Sequence, residues 1–252
     1  MNRIFACLPC YNESENILPL TRAWLEKKDV LLSKGYKLTI VAIDDNSTDD
    51  TLEKMMSEGR ENPEDIVVIH HRKNLNLGGG VRTAFNYFHR EGKAGDLCVL
   101  MDGDNTHDPV YTSDMIDKIE EGADCVIASR YRDGSKVKGV PAFRRLLSDG
   151  AGLYYKIMLG VPGVRDYTCG YRVYTYDIIE KALSKYGKRL VEKRTFACMM
   201  EVLYKLFKVG AVFDEVPFEL RYDLKQGESK MKILKTIKDS LVTAFMLRVK
   251  TK

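Results

Sequence analysis

No uninterrupted apolar run of about 18 residues occurs in this chain of 252 residues, so a membrane-spanning helix is not expected and any membrane contact must be peripheral. Charge of one sign is also lacking: 40 basic residues stand against 36 acidic ones, a net +4 with no clustered basic stripe, which argues against a nucleic-acid partner. Histidine is scarce, and His70, His71, His89 and His107 form no H-x₃-H pattern that would hold a catalytic zinc. No G-x-S-x-G elbow is present, which argues against an α/β-hydrolase. The opening Met1-Asn2-Arg3-Ile4-Phe5 goes directly into a strand without the charged-then-apolar leader of a secretory signal. Cys7, Cys10, Cys98, Cys125, Cys169 and Cys198 lie mostly in apolar stretches, as reduced cysteines packed as small hydrophobes do, and point to a reducing, cytosolic compartment. Cys7-Leu8-Pro9-Cys10 has C-x-x-C spacing, but no second pair follows and Cys7 falls inside the opening strand, so a redox or zinc role is not favoured.

What is present is an alternation of apolar, β-branched runs with helical periods. Strands are predicted at Ile4 to Leu8, Leu38 to Ile43, Ile66 to His70, Leu97 to Met101 and Cys125 to Ala128. The helices between them run from Glu13 to about Leu31, Asp49 to about Ser57, about Gly80 to Arg90, and Val110 to Glu120. Continuous apolar strands alternating with helices imply a mostly parallel α/β sheet covered on both faces. Beyond Tyr131 the pattern changes: Arg132 to Gly139 reads as a mobile loop, followed by a helix from Phe143 to about Met158 and a loop from Gly160 to Gly170. A short strand at Tyr171 to Thr175, helices at Asp177 to Lys185 and Phe196 to Val209, a strand at Ala211 to Leu220, a basic loop and a helix from Met231 complete the chain. No repeat or long linker divides it, so one domain is expected, with a donor half over 1–130, an acceptor half over 131–230 and a C-terminal amphipathic helix over 231–252.

Two acidic clusters close apolar runs: Ile43-Asp44-Asp45-Asn46-Ser47 and Met101-Asp102-Gly103-Asp104-Asn105. Open α/β sheets bind their ligands at strand ends of this kind. Carboxylates two residues apart can share a divalent cation, Mg²⁺ or Mn²⁺, that carries a diphosphate; the plainer reading is that they cap turns. Pro9-Cys10-Tyr11-Asn12-Glu13 faces the same crevice, where Tyr11 could stack on a base or merely cover the core edge. Asn76-Leu77-Gly78-Gly79-Gly80 precedes a helix and could offer amides to an anion, yet it meets neither the dinucleotide G-x-G-x-x-G nor the P-loop pattern. Ser129-Arg130-Tyr131 ends a strand, Arg144 and Ser148 stand one helical turn apart and able to grip one phosphate, and Gly227-Glu228-Ser229-Lys230 follows Arg221 in a loop. For any one of these arginines, plain solvation is the alternative.

In their order along the chain these motifs, together with Asp44-Asp45-Asn46-Ser47-Thr48-Asp49, His107, Pro109, Asp166 and Cys169-Gly170-Tyr171-Arg172, resemble the family-2 inverting glycosyltransferases, and within them the dolichol- or polyprenyl-phosphate mannose synthase group. The resemblance implies a GT-A fold, a nucleotide-diphosphate sugar as donor, GDP-mannose or a UDP-sugar, a divalent metal and a polyprenyl-phosphate acceptor at the cytoplasmic face of a membrane. By it, Pro9, Tyr11, Glu13, Ile43, Asp45, Asp102, Gly103 and Asp104 would bind the nucleotide, with Asp102 and Asp104 on the metal. Arg130, Arg144, Ser148, Arg221, Ser229 and Lys230 would meet the acceptor phosphate, and Asp104, Arg130, Arg144, Ser148, Lys230 and Asp166 would form the catalytic set.

There are departures. The family's D-A-D-L-Q-H reads Asp102-Gly103-Asp104-Asn105-Thr106-His107 here, so Thr106 replaces a glutamine expected near the metal, and the extra residues Tyr222 to Gln226 make Arg221 and Lys225 rivals for one phosphate. No Q-x-x-R-W is present, which argues against the processive polysaccharide synthases. The expected reaction is a single displacement with inversion. A phosphate acceptor would need no protein base; a sugar hydroxyl would, with Asp166 as the candidate. A glycan or other hydroxyl acceptor, and a nucleotide-sugar-binding protein without catalysis, are the alternatives. The last helix has Ile233, Leu234, Ile237, Leu241, Phe245 and Met246 among basic residues, a pattern read as packing on the domain in preference to membrane binding.

Overall fold

The computed structural model describes residues 1–140, 142–224 and 233–250, with the side chains of 142–149, 224, 233–236 and 250 outside the description. The strands are β1 (Asn2–Cys10), β2 (Tyr36–Asp44), β3 (Ile66–His70), β4 (Leu97–Leu100), β5 (Cys125–Ser129), β6 (Lys136–Lys138), β7 (Arg172–Thr175), β8 (Phe213–Pro217) and β9 (Glu219–Arg221). The helices are α1 (Ile17–Leu25), α2 (Lys28–Ser33), α3 (Thr51–Glu61), α4 (Asn76–Glu91), α5 (Thr112–Glu120), α6 (Ala142–Leu159), α7 (Tyr176–Tyr186), α8 (Ala197–Phe207) and α9 (Ile233–Lys250).

Seven strands form one sheet in the order β3-β2-β1-β4-β7-β5-β8, all parallel except β7, which runs antiparallel between β4 and β5. Every residue of β4 and β5 is buried, the consequence of helices on both faces. Phe85 and Phe88 of α4 meet Tyr174 and Phe5 edge-on, with centroids 5.2 and 5.3 Å apart, and fasten the helix to the middle of the sheet. The one tryptophan, Trp24 of α1, is fully buried. α9 packs against α6 and α8 through buried Ser240, Thr243 and Ala244, while the Tyr154 hydroxyl of α6 donates to the Leu241 carbonyl at 3.2 Å. Among the described residues no helix is long and apolar enough to cross a membrane.

Four sequence expectations are corrected. The helix read from Glu13 to Leu31 is two helices, α1 from Ile17 and α2 from Lys28, parted at Glu26-Lys27, where neither residue has an apolar side chain to offer the core. α4 begins at Asn76, so the glycine run lies inside the helix; a Cβ on Gly78 would lie 1.8 Å from Lys193 O and one on Gly80 2.7 Å from Pro9 Cβ, which is why these helical positions are glycine. The loop from Arg132 to Gly139 contains β6, which pairs in parallel with β9. The strand read from Ala211 to Leu220 divides after Pro217: β8 stays in the large sheet and β9 leaves it to join β6.

Candidate active site

β1 and β4 are neighbours from which the chain departs to opposite sides of the sheet, the switch point at which such sheets open a crevice. Pro9-Cys10-Tyr11-Asn12-Glu13 leaves β1 there, and Asp102-Gly103-Asp104 leaves β4. After each of β1, β2, β3 and β4 stands one asparagine in the left-handed region: Asn12, Asn46, Asn76 (the first residue of α4) and Asn105, with φ of 54°, 60°, 61° and 56°. Asparagine enters this region more readily than other side chains, and here it bends the backbone sharply beside the crevice. The first two turns are stitched together. Asn12 N–H donates to Ser47 Oγ at 2.9 Å, Thr48 N–H to Asn12 Oδ1 at 2.8 Å and Glu13 N–H to Thr51 Oγ1 at 2.8 Å.

The strand-end pair Asp44 and Asp45 divides its work. Asp44 is fully buried, accepts from Ser47 N–H at 3.3 Å and bonds His70 Nδ1 at 2.8 Å, so it caps its own turn. Asp45, 4% exposed, takes Leu75 N–H and His71 Nδ1 on the same oxygen, Oδ1, both at 2.7 Å. His71 Nε2 continues to Thr83 Oγ1 of α4 at 2.8 Å. Tyr11 is 37% exposed at the start of the turn after β1.

In the D-x-D turn, Asp102 and Asp104 are half-buried. Asp104 Oδ1 accepts from the Thr106 hydroxyl at 2.7 Å, so the threonine that departs from the family pattern orients the carboxylate. Gly103 is required by contact: a Cβ there would lie 2.3 Å from Cys10 Sγ. Burial first, and then the fields of Glu13, Asp44, Asp104 and Asp102, push the Cys10 thiol well above its ordinary range. Carboxylates from three strand ends thus gather around one point, and Cys10 is inert as a nucleophile. All six cysteines are buried and free, and Cys7 Sγ faces Cys98 Sγ at 3.8 Å, which leaves no exposed C-x-x-C pair.

A divalent cation fits this donor set. Among the described residues no group of three or more His, Cys, Asp or Glu is arranged to hold a metal; Asp102 and Asp104 are hard oxygen donors that could hold a cation only with phosphate oxygens and water completing its shell.

On the other side of the crevice, Arg130 leaves β5 and is gripped by Asp166. Nε meets Oδ2 and Nη2 meets Oδ1, both at 2.7 Å, and Nη2 also donates to Thr168 Oγ1 at 2.6 Å. Arg130 Nη1 makes no hydrogen bond among the described residues, and the guanidinium lies over the Tyr131 ring at 5.6 Å. Asp166 is fully buried. Burial opposes its ionisation, but the Arg130 charge and hydrogen bonds from Arg130 and Thr168 outweigh that and hold its carboxyl below the ordinary range. A carboxylate so occupied is a poor proton acceptor, which answers its candidacy as a base: it holds Arg130. Glu215 of β8 in turn accepts from Asp166 N–H at 2.7 Å and Arg165 N–H at 2.6 Å. Four residues along the same loop, Gly170 abuts Asp102, where a Cβ would lie 2.7 Å from Oδ1. The loop therefore ties the arginine to the D-x-D turn.

Other candidates are placed less directly. Ile43 is fully buried in the sheet, where its side chain cannot meet a nucleotide. Arg221 is engaged by Asp223, Nη2 to Oδ2 at 2.9 Å, and its N–H donates to Thr106 O at 3.1 Å, which moors β9 to the D-x-D turn. The side chains of Arg144 and Ser148, in α6, lie outside the described residues, as do Lys225, Ser229 and Lys230. Sequence reasoning missed His70, His71 and Thr83. Their signal was available: a His-His pair ends β3, and the parallel register sets His70 opposite Asp44. His107, watched for its position, is buried between Phe218 and Tyr171, stacked on the former at 5.4 Å.

Fold and site together define a GT-A enzyme. A solved structure of similar fold is glucosyl-3-phosphoglycerate synthase from Mycobacterium tuberculosis in complex with Mn²⁺, uridine-diphosphate and phosphoglyceric acid, with a TM-score of 0.66 at 15% identity, covering 98% of this chain and 78% of that one. The glycosyl transferase family 2 model matches residues 5–183, and the chain belongs to that family of glycosyltransferases. Among curated relatives, the polyprenol monophosphomannose synthase of Mycolicibacterium smegmatis is 30% identical over 229 residues, 91% of this chain and 81% of the relative. The dolichol-phosphate mannosyltransferase of Pyrococcus furiosus is 32% identical over 232 residues, 91% of this chain but only 59% of its own length.

Proposed function

We propose that this glycosyltransferase moves a hexosyl group, mannosyl by the names of its relatives, from a nucleotide-diphosphate sugar to a polyprenyl phosphate, with inversion and with Mg²⁺ or Mn²⁺ bound. The supporting observation is the gathering of Glu13, Asp44, Asp102 and Asp104 around Cys10 at the switch-point crevice, with Arg130 held by Asp166 on the loop whose Gly170 abuts Asp102. Tyr11 would stack on the base and Asp45 would accept its N–H, while Asp102 and Asp104 hold the cation against the diphosphate. When bound, the cation supplies Lewis-acid stabilisation of the leaving diphosphate. Arg130, fixed in direction by two parallel hydrogen bonds, offers Nη1 to a phosphate oxygen. A phosphate monoester has a second pKa of about 6 and is already anionic at neutral pH. It attacks the anomeric carbon without a protein base, in keeping with Asp166 being occupied.

Exposed Leu153 and Ile157 of α6 and Val242, Phe245, Met246 and Val249 of α9, beside exposed Lys156, Lys238 and Arg248, would supply a peripheral contact with the membrane that holds the lipid acceptor. The deciding experiment incubates purified protein and Mn²⁺ with radiolabelled GDP- and UDP-sugars and a polyprenyl phosphate, then counts label extracted into organic solvent. Label in the organic phase is expected and names the donor. Donor turnover without lipid product would move the acceptor to a glycan or small molecule.

A further inference from the structure

Asp45 is paired with His71, a residue that the reaction scheme above leaves unused. His71 is 8% exposed, and its ring bridges two elements: Nδ1 lies 2.7 Å from Asp45 Oδ1 at the end of β2, and Nε2 lies 2.8 Å from Thr83 Oγ1 on α4. The neutral ring protonated at Nδ1 satisfies both contacts, donating to the carboxylate and accepting from the hydroxyl. Leu75 N–H also donates to Oδ1 at 2.7 Å, so this oxygen is held from two directions. Oδ2 accepts nothing among the described residues, and it is not among the sealed polar atoms that lack partners. A carboxylate pinned by one oxygen and open at the other is an acceptor of fixed direction at the strand end. The neighbouring pair differs: both oxygens of Asp44 receive Ser47 N–H and the side chain is sealed, so His70 supports a turn.

We propose that His71 is a positioning residue for nucleotide recognition, held by Thr83 so that it orients Asp45 with Oδ2 towards a nucleobase N–H. This rests on the reading of Asp45 as the group that meets the base. Substitution at 71 separates the hydrogen bond from volume, because an asparagine amide takes the place of the imidazole Nδ1 and a glutamine amide that of Nε2. For the full chain titrated calorimetrically with GDP and with UDP in the presence of Mn²⁺, His71→Gln is expected to weaken binding of the preferred nucleotide about 10-fold, a hydrogen bond to a charged group. His71→Asn should stay within about 2-fold of the unaltered protein, and His71→Gln should leave kcat within about 2-fold while the donor KM rises. Equal affinity for the glutamine and asparagine variants would overturn the proposal.

Asp45→Asn, measured in parallel, separates the two readings. If it leaves affinity unchanged, the assignment of Asp45 and this proposal fall together. If it weakens binding while both variants at 71 match the unaltered protein, the assignment stands and the proposal falls. Should His71→Gln not fold, the ring ¹⁵N spectrum of His71 in the unaltered protein decides. A proton on Nδ1 and a shift on nucleotide addition are expected, and a ring indifferent to nucleotide would overturn the proposal.

Discussion

Gly170 stands against Asp102 so closely that a Cβ at position 170 would lie 2.7 Å from Oδ1 and 2.9 Å from Oδ2. The obstructing atoms are the end of a side chain, so Gly170→Ala would displace the carboxylate rather than the fold. Misplacing a ligand by about 1 Å can cost about 10²-fold in rate. Gly170→Ala is therefore expected to raise the Mn²⁺ concentration needed for half-maximal activity and to lower turnover on that order. Its thermal midpoint should remain close to that of the unaltered protein; a midpoint that falls in step with activity would make Gly170 a matter of folding.

Asp104 is oriented by the Thr106 hydroxyl, which donates at 2.7 Å. Asp104→Asn removes the charge that would face the proposed cation and is expected to lower turnover on the order of 10²-fold with the fold intact. Thr106→Val, which keeps the shape and deletes the donor, should lower it less, and Thr106→Ser should restore it. Equal rates for the valine and serine variants at limiting Mn²⁺ would show that the hydroxyl does not set the direction of Asp104.

How far the sequence could be read depends on whether its signals are local. β3 was legible to the residue, Ile66–His70, because apolar β-branched runs bounded by polar turns announce strands. The D-x-D turn and Pro9-Cys10-Tyr11-Asn12-Glu13 were legible because they interrupt such runs. The antiparallel placement of β7 between β4 and β5 was not, since Arg172–Thr175 is set by partners distant in sequence. The same holds for the departure of β9 from the sheet after Pro217, and for Asp166. Its role as the clamp on Arg130 depends on a contact between residues 36 apart. Spacing could offer Asp166 as a base but could not show that its oxygens were already taken.

The Arg130–Asp166 pair also sets an acid limit on stability. Asp166 is fully buried and the Arg130 side chain is 21% exposed, so Asp166→Asn leaves an arginine largely desolvated and is expected to cost about 3–5 kcal/mol in urea unfolding at neutral pH. The folded carboxyl titrates below its unfolded value, so its contribution is complete above about pH 4 and is lost as pH falls through the folded pKa. The stability gap between the two proteins should be constant from neutral pH down to about 5 and narrow below about 4. A gap that widens on acidification would contradict the depressed carboxyl.

The C-terminal helix was read as packed on its own domain, and α9 does pack, through Ser240, Thr243 and Ala244 against α6 and α8. Its other face leaves Val242 and Phe245 each 52% exposed and Val249 54% exposed, beside Leu153 and Ile157 of α6 at 62% and 70%. Packing is thus compatible with a membrane contact, because different residues would carry the two. Changing Val242 and Phe245 to Asp removes apolar surface from the outer face and leaves the packed face alone, so the thermal midpoint should change little. If the face meets a bilayer, each carboxylate must remain in water, and flotation with vesicles containing anionic lipid should fall about 10-fold or more. Ser240 and Ala244 variants offer the converse: a larger side chain there should destabilise the domain before it affects flotation. Unchanged flotation of the Val242→Asp, Phe245→Asp double variant would assign this apolar face some occupant other than lipid.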